Sequence, residues 1–154
     1  MLTTYAPTTY NQFFLKSTKM TTNTFLTALA ERLNIRNFRG VFMRDTLPDK
    51  PLLDECGIMN FDLEKEPGSH WVCWYKKGKE AFYFDSYGTA VPEELRDYVG
   101  LKFYRSDFMI QGITSDICGE LCLTFLYHMD KGDNDQSLKP ALKKVQRNNK
   151  HYKK

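Results

Sequence analysis

The chain has 154 residues, 42% of them hydrophobic, 14% aromatic and 27% charged, which is enough for one domain with its own core and too few for two. A mean hydropathy of −0.53 and the lack of any apolar run of about 18 residues exclude a transmembrane helix. Residues 1–19 lack the apolar stretch of a secretory signal, so an intracellular, soluble protein with no membrane partner is expected. The net charge of +3 is uneven. Seven Lys/Arg and no acid fall between Lys139 and Lys154, which leaves residues 1–138 at −4. Such a tail meets DNA or another polyanion by counterion release, or is simply a solvated end.

The expected organisation is an N-terminal arm (1–19), a single domain (20–138) and the basic tail (139–154). Phe25, Leu26, Leu29 and Leu33 fall at helical spacing behind Thr/Asn capping candidates, which predicts an amphipathic helix over 23–34. The apolar patch Gly40–Met43 leads into a proline loop around Leu47–Pro51. Ile58–Leu63 reads as a strand.

His70–Tyr75 and Glu80–Asp85 are rich in aromatic and β-branched residues and flank Lys76-Lys77-Gly78-Lys79, the pattern of a β-hairpin. With Lys77-Gly78 as a two-residue loop, paired positions sum to 155 and His70 lies directly opposite Asp85. Directly opposite residues share a face with Cβ atoms about 5 Å apart, within reach of an imidazole–carboxylate hydrogen bond. Val72/Tyr83 and Trp74/Ala81 then share that face, and Trp71/Phe84 and Cys73/Phe82 the other.

Pro92 followed by Glu93 and Glu94 starts a short helix. Leu101–Tyr104 and Phe108–Gln111 read as short extended pieces. Leu121, Cys122, Phe125, Leu126 and Met129 then repeat as one buried helical face, with Ser115 or Asp116 as N-cap. Cys118 is thereby placed in the first turn.

The four cysteines, Cys56, Cys73, Cys118 and Cys122, are expected to be free thiols, being too few for a disulfide scaffold in a chain that has a core. A thiol at a helix N-terminus feels the positive end of the macrodipole, which favours thiolate, and a nearby imidazolium favours it further. Gly119 leaves the backbone N–H groups open to a substrate carbonyl, and the Gln111 amide supplies a second oxyanion donor. His70, Asp85, Gln111 and Cys118 therefore make an acyl-transfer set of base, orienting group, oxyanion donor and nucleophile. Cys73 and Cys122 read as core residues, and Cys56, in a loop-like Asp-Glu-Cys-Gly, is undecided. A zinc site from Cys118, Cys122 and His128 lacks a fourth ligand and a usual finger spacing, so no metal is expected.

These motifs, GSHW with His70, FDSYG with Asp85, and Gln111 followed at seven by Cys118 in SDICGELCLTFL, resemble the adenovirus-type (adenain-like) cysteine endopeptidases over about residues 57–129. They resemble the SUMO-specific proteases more distantly. With the upstream NFRGVFMRDTLP, the layout looks most like proteases of adintoviruses and Polinton/Maverick elements. The resemblance implies an α+β, papain-like fold in permuted order, with His70 and Asp85 from the sheet first and the nucleophile helix last. It implies Cys118 as nucleophile, His70 as base and acid, Asp85 as orienting group, Gln111 with the Cys118 N–H as oxyanion hole, and Trp71 beside the imidazole.

It further implies a monomer that cleaves viral capsid and core precursors in the virion and the infected cell. No metal or organic cofactor is implied, but stimulation by DNA, through the basic tail, or by a virion peptide is. Residues 99–104 contain no cysteine for the covalent peptide attachment seen in the adenoviral enzyme. The rival expectations are an isopeptidase for ubiquitin-like modifiers, for whose docking surface 154 residues leave little room, and a non-catalytic DNA-associated protein.

Overall fold

The structure is a computed structural model that describes residues 22–66, 68, 70–105, 117–132, 140 and 143. The arm 1–19, nearly all of the tail, the predicted piece 108–111 and the capping candidates Ser115 and Asp116 lie outside the described residues.

Thr22 caps the first helix, α1 (Asn23–Arg32), its Oγ1 accepting the Phe25 N–H at 3.1 Å. Leu26, Leu29 and Ala30 form its buried face. It stops two residues before the predicted end because Asn34 turns into the left-handed region at φ 54°, a conformation that asparagine tolerates. Five strands follow in chain order: β1 (Phe38–Phe42), β2 (Asp54–Asn60), β3 (Trp71–Lys77), β4 (Glu80–Phe84) and β5 (Phe103–Arg105). The helix α2 (Glu93–Val99) lies between β4 and β5, starting after Pro92 as its sequence predicts, and α3 (Cys118–Asp130) comes last.

The strands form one sheet in the order β1-β2-β3-β4-β5. The two outer pairs are parallel and the two inner pairs antiparallel. The molecule is thus α+β, as the sequence implied.

Two local readings need correction. β2 begins at Asp54, four residues before the predicted Ile58, so Cys56 lies within a central strand and not in a loop. The glycine that mimics a loop signal has a packing reason: a Cβ on Gly57 would stand 2.4 Å from Cη2 of Trp74, so only a bare backbone admits the indole. The hairpin register is also shifted. Lys77 pairs with Glu80 and Cys73 with Phe84, so the turn is Gly78-Lys79, with Gly78 taking the φ of +60° that the turn needs. Pairs sum to 157 rather than 155, a slip of two. A slip of one would have turned every side chain over, whereas two keeps each on its predicted face.

Those faces divide the interior. On one, Cys56, Ile58, Trp71, Cys73 and Phe84 pack beneath α1 and α3. On the other, Met59, Val72, Trp74, Ala81 and Tyr83 meet Leu95 and Val99 of α2. Each fully buried large side chain contributes about 1.5–3 kcal/mol. That outweighs a half-exposed ion pair such as Arg44–Glu94 (2.7 Å), worth roughly 0–1 kcal/mol. At the far end of α3, Arg36 clasps Asp130, with Nε to Oδ1 at 3.1 Å and Nη2 to the backbone carbonyl at 2.8 Å, so the C-terminal end of the helix is tied to the turn that leads into β1.

Candidate active site

His70 immediately precedes β3 and Asp85 immediately follows β4, at the end of the hairpin away from the Gly78 turn. With the register shifted they are diagonal rather than directly opposite, and a diagonal pair on one face is still within side-chain reach. His70 Nε2 lies 2.6 Å from Asp85 Oδ1, in a pair only 4% and 2% exposed.

The carboxylate is held on several sides. The Tyr87 N–H donates to Oδ1 at 2.9 Å, the Thr89 N–H donates to Oδ2 at 3.1 Å, and the Thr89 hydroxyl also donates to Oδ2. Burial works against ionisation of Asp85, but the hydrogen bonds from His70, Thr89 and Tyr87 outweigh it, and the carboxyl is held below its ordinary value. An ionised Asp85 can only accept, so Nε2 carries a proton and donates the hydrogen bond; in the neutral imidazole the lone pair then lies on Nδ1. Nδ1 is buried with no hydrogen-bond partner among the described residues.

Cys118 is the first residue of α3, behind Ile117, which offers no side-chain cap in place of the predicted Ser115 or Asp116. Its sulfur accepts the Trp71 N–H at 3.2 Å, so the thiol is seated on the backbone next to His70. Trp71 is itself part of the core beneath α1 and α3. The rings resolved against the imidazole are Tyr87, stacked at 4.1 Å and 8°, and Phe61, edge-on at 5.1 Å.

The helix N-terminus favours thiolate through the Gly119 N–H, as expected, but at rest burial outweighs it. Burial, with the neighbouring Cys122 adding to it, pushes the Cys118 thiol up to about 12, against the smaller opposing pull of the Trp71 and Gly119 N–H groups. In this structure Cys118 has no solvent exposure, so the sulfur is a neutral thiol that needs a base.

The remaining thiols are all buried. Cys122 Sγ donates to the Trp71 carbonyl at 3.4 Å, and Cys73 Sγ to the Cys122 carbonyl at 3.7 Å. Cys56 Sγ donates to the Arg36 carbonyl at 3.7 Å, and burial raises its pKa far above the ordinary range; it is a core residue, which settles the undecided reading. Cys118 and His128 stand ten residues apart on one helix, roughly 15 Å at 1.5 Å per residue, so they cannot share a zinc ion. Among the described residues no group of three or more His, Cys, Asp or Glu is placed to hold a metal.

Of the four site residues read from sequence, the structure brings His70 and Asp85 into contact and bonds the Cys118 sulfur to the backbone of Trp71, the residue after His70. Gln111 lies outside the described residues. Sequence reasoning missed Tyr87 and Thr89, which complete the Asp85 environment, and Arg105, whose guanidinium donates to the Gly88 and Thr89 carbonyls at 3.0 and 3.1 Å. The available signal was the turn sequence Ser-Tyr-Gly directly after an aspartate, since an Asp side chain commonly binds the backbone N–H two residues on.

The fold is similar to that in the crystal structure of ASFV pS273R protease, with a TM-score of 0.56 and 13% sequence identity over 80% of this chain and 62% of that one. The chain therefore spans less than two thirds of that protein's length. No family model matches the sequence, and no curated protein does.

Proposed function

We propose that the chain is a cysteine endopeptidase with Cys118 as nucleophile, His70 as general base and acid, and Asp85 as the group that orients the imidazole. The observation that carries this reading is the seating of the Cys118 sulfur on the Trp71 N–H, one residue from a buried His70–Asp85 pair. Similarity of fold to a protease supports it.

The chemistry follows from the protonation states. As Sγ attacks the carbonyl carbon of a peptide bond, its proton passes to Nδ1. The resulting imidazolium is stabilised through Nε2–H by the Asp85 carboxylate. The carbonyl becomes an oxyanion, with the Cys118 N–H at the start of α3 and the Gln111 amide proposed as its donors. Collapse expels the amine, which takes the proton from Nδ1, and leaves a thioester. Water, activated by the same Nδ1, then hydrolyses the thioester and frees Cys118. Because Cys118 is fully covered at rest, a peptide reaches it only when covering residues move.

The narrower reading follows the motif resemblance: an adenain-like enzyme of permuted papain-like layout that cleaves viral precursor proteins in the virion and the infected cell, with residues 139–154 contacting DNA. The test is cleavage of a peptide library derived from whole-cell protein. Wild-type protein should generate new termini that Cys118→Ala protein does not; identical digests from the two would sink the reading. Binding to random duplex that is unchanged after removal of residues 139–154 would dismiss the DNA role.

A further inference from the structure

We propose that Tyr87 is a positioning residue that fixes the plane of the His70 imidazole. This rests on the reading of His70 as the base for Cys118. The Nε2···Oδ1 hydrogen bond pins the ring at one point only, and the χ2 torsion of histidine is broad, so that bond alone leaves the ring free to tip. Tyr87 removes this freedom by two contacts made from one residue. Its ring lies on the imidazole face at 4.1 Å and 8°, and its backbone N–H donates to the same Asp85 oxygen that accepts Nε2–H. Ring and carboxylate are therefore referenced to one residue.

Phe61 meets the imidazole edge-on, and the carbonyls at Gly88 and Thr89 are anchored by Arg105, so the loop that carries Tyr87 is itself braced. Tyr87 is 37% exposed, whereas His70, Asp85 and Cys118 are nearly or fully buried. A ring needed only for core packing has no reason to lie at the surface face to face with the one imidazole of the site. With the plane fixed, the direction of the Nδ1 lone pair is fixed as well.

The test is the pH dependence of Cys118 alkylation by iodoacetamide, read by mass spectrometry on full-length, folded protein. The quantity compared is the ratio of rates near pH 9 and near pH 7, in which accessibility cancels. A thiol that must ionise unaided reacts about tenfold faster per pH unit below its pKa, whereas a thiol whose proton goes to a neutral imidazole reacts at a nearly constant rate. Wild type should give a nearly flat profile and His70→Ala a steep one. Tyr87→Ala should raise the ratio about tenfold and Tyr87→Leu, which keeps the bulk, should do likewise, while Tyr87→Phe stays within about twofold of wild type because the stacked face is retained.

Flat profiles in the Ala and Leu variants beside a steep His70→Ala profile would overturn the role of Tyr87 and leave the nucleophile–base reading standing. A flat profile in His70→Ala itself would overturn that reading. Should the Ala and Leu variants not fold, the wild-type NMR spectrum decides. Ring-current-shifted His70 ring protons support the stacked position in solution, and ordinary shifts contradict it.

Discussion

The first and second turns of α3 each carry a cysteine, and both sulfurs bond to the backbone of Trp71, in opposite senses. Cys118 Sγ accepts the Trp71 N–H, whereas Cys122 Sγ donates to the Trp71 carbonyl. An accepted N–H stabilises negative charge on sulfur. A donated S–H is lost if the sulfur ionises. Two thiols four residues apart on one helical face thus meet opposite ends of a peptide unit, and on the proposed reading that difference separates a nucleophile from a core residue. Burial alone does not distinguish them, since both are fully covered and both have raised pKa values.

Substitution should break this contrast cleanly. Cys118→Ala should lower proteolysis at least about 10³-fold with little change in melting temperature; comparable turnover by the variant would reverse the assignment. Asp85→Asn should cost up to about 10⁴-fold in turnover, because the amide no longer compels Nε2 to carry the proton. It should also remove an acid-side dependence of stability. The Asp85 carboxyl is lower in the folded state than its ordinary 3.8, so its contribution is present above that value and fades as pH falls through and below it. An acid unfolding curve identical to wild type would contradict this.

Residues of the packed interior supply the control. Gly57→Ala drives a methyl into the Trp74 indole, and urea denaturation should show a loss of about 1–3 kcal/mol, with turnover per folded molecule unchanged. Cys122→Ala should cost about 1–2 kcal/mol in the same assay and leave activity within a few fold; loss of activity with stability intact would mean that Cys122 does chemistry. The smallest effect concerns alkaline pH. Cys56, Cys73, Cys118, Cys122 and Tyr83 all have pKa values raised by burial. Above the ordinary thiol value of 9.0 the unfolded chain sheds protons that the folded one keeps, so stability should decline with rising pH. A flat profile through that range would show the thiols to be exposed.

Much of this arrangement was legible in the sequence, and what failed did so for physical reasons. The faces of β3 and β4 were readable because side-chain alternation is set by parity, and the two-residue register error preserved parity. The exact pairing was not, since Lys77-Gly78 and Gly78-Lys79 both place glycine in a tight turn. Cys118 could be put at a helix start from the apolar repeat that follows it, but its protonation state could not, because that depends on how completely the folded chain covers the sulfur. Cys56 stays undecided from sequence because Asp-Glu-Cys-Gly has loop composition, and the need for Gly57 becomes visible only when the Trp74 ring lies across it. Tyr87 is the reverse case, a local turn residue whose importance arises from a partner 17 positions away in the chain.

The most direct test of the central claim is iodoacetamide labelling of the native protein at neutral pH, followed by peptide mapping. Cys118 should be modified first and alone, at a rate that His70→Ala sharply reduces, while Cys56, Cys73 and Cys122 react only on unfolding. Modification of any of those three at the rate of Cys118, or a Cys118 rate indifferent to His70, would contradict the account.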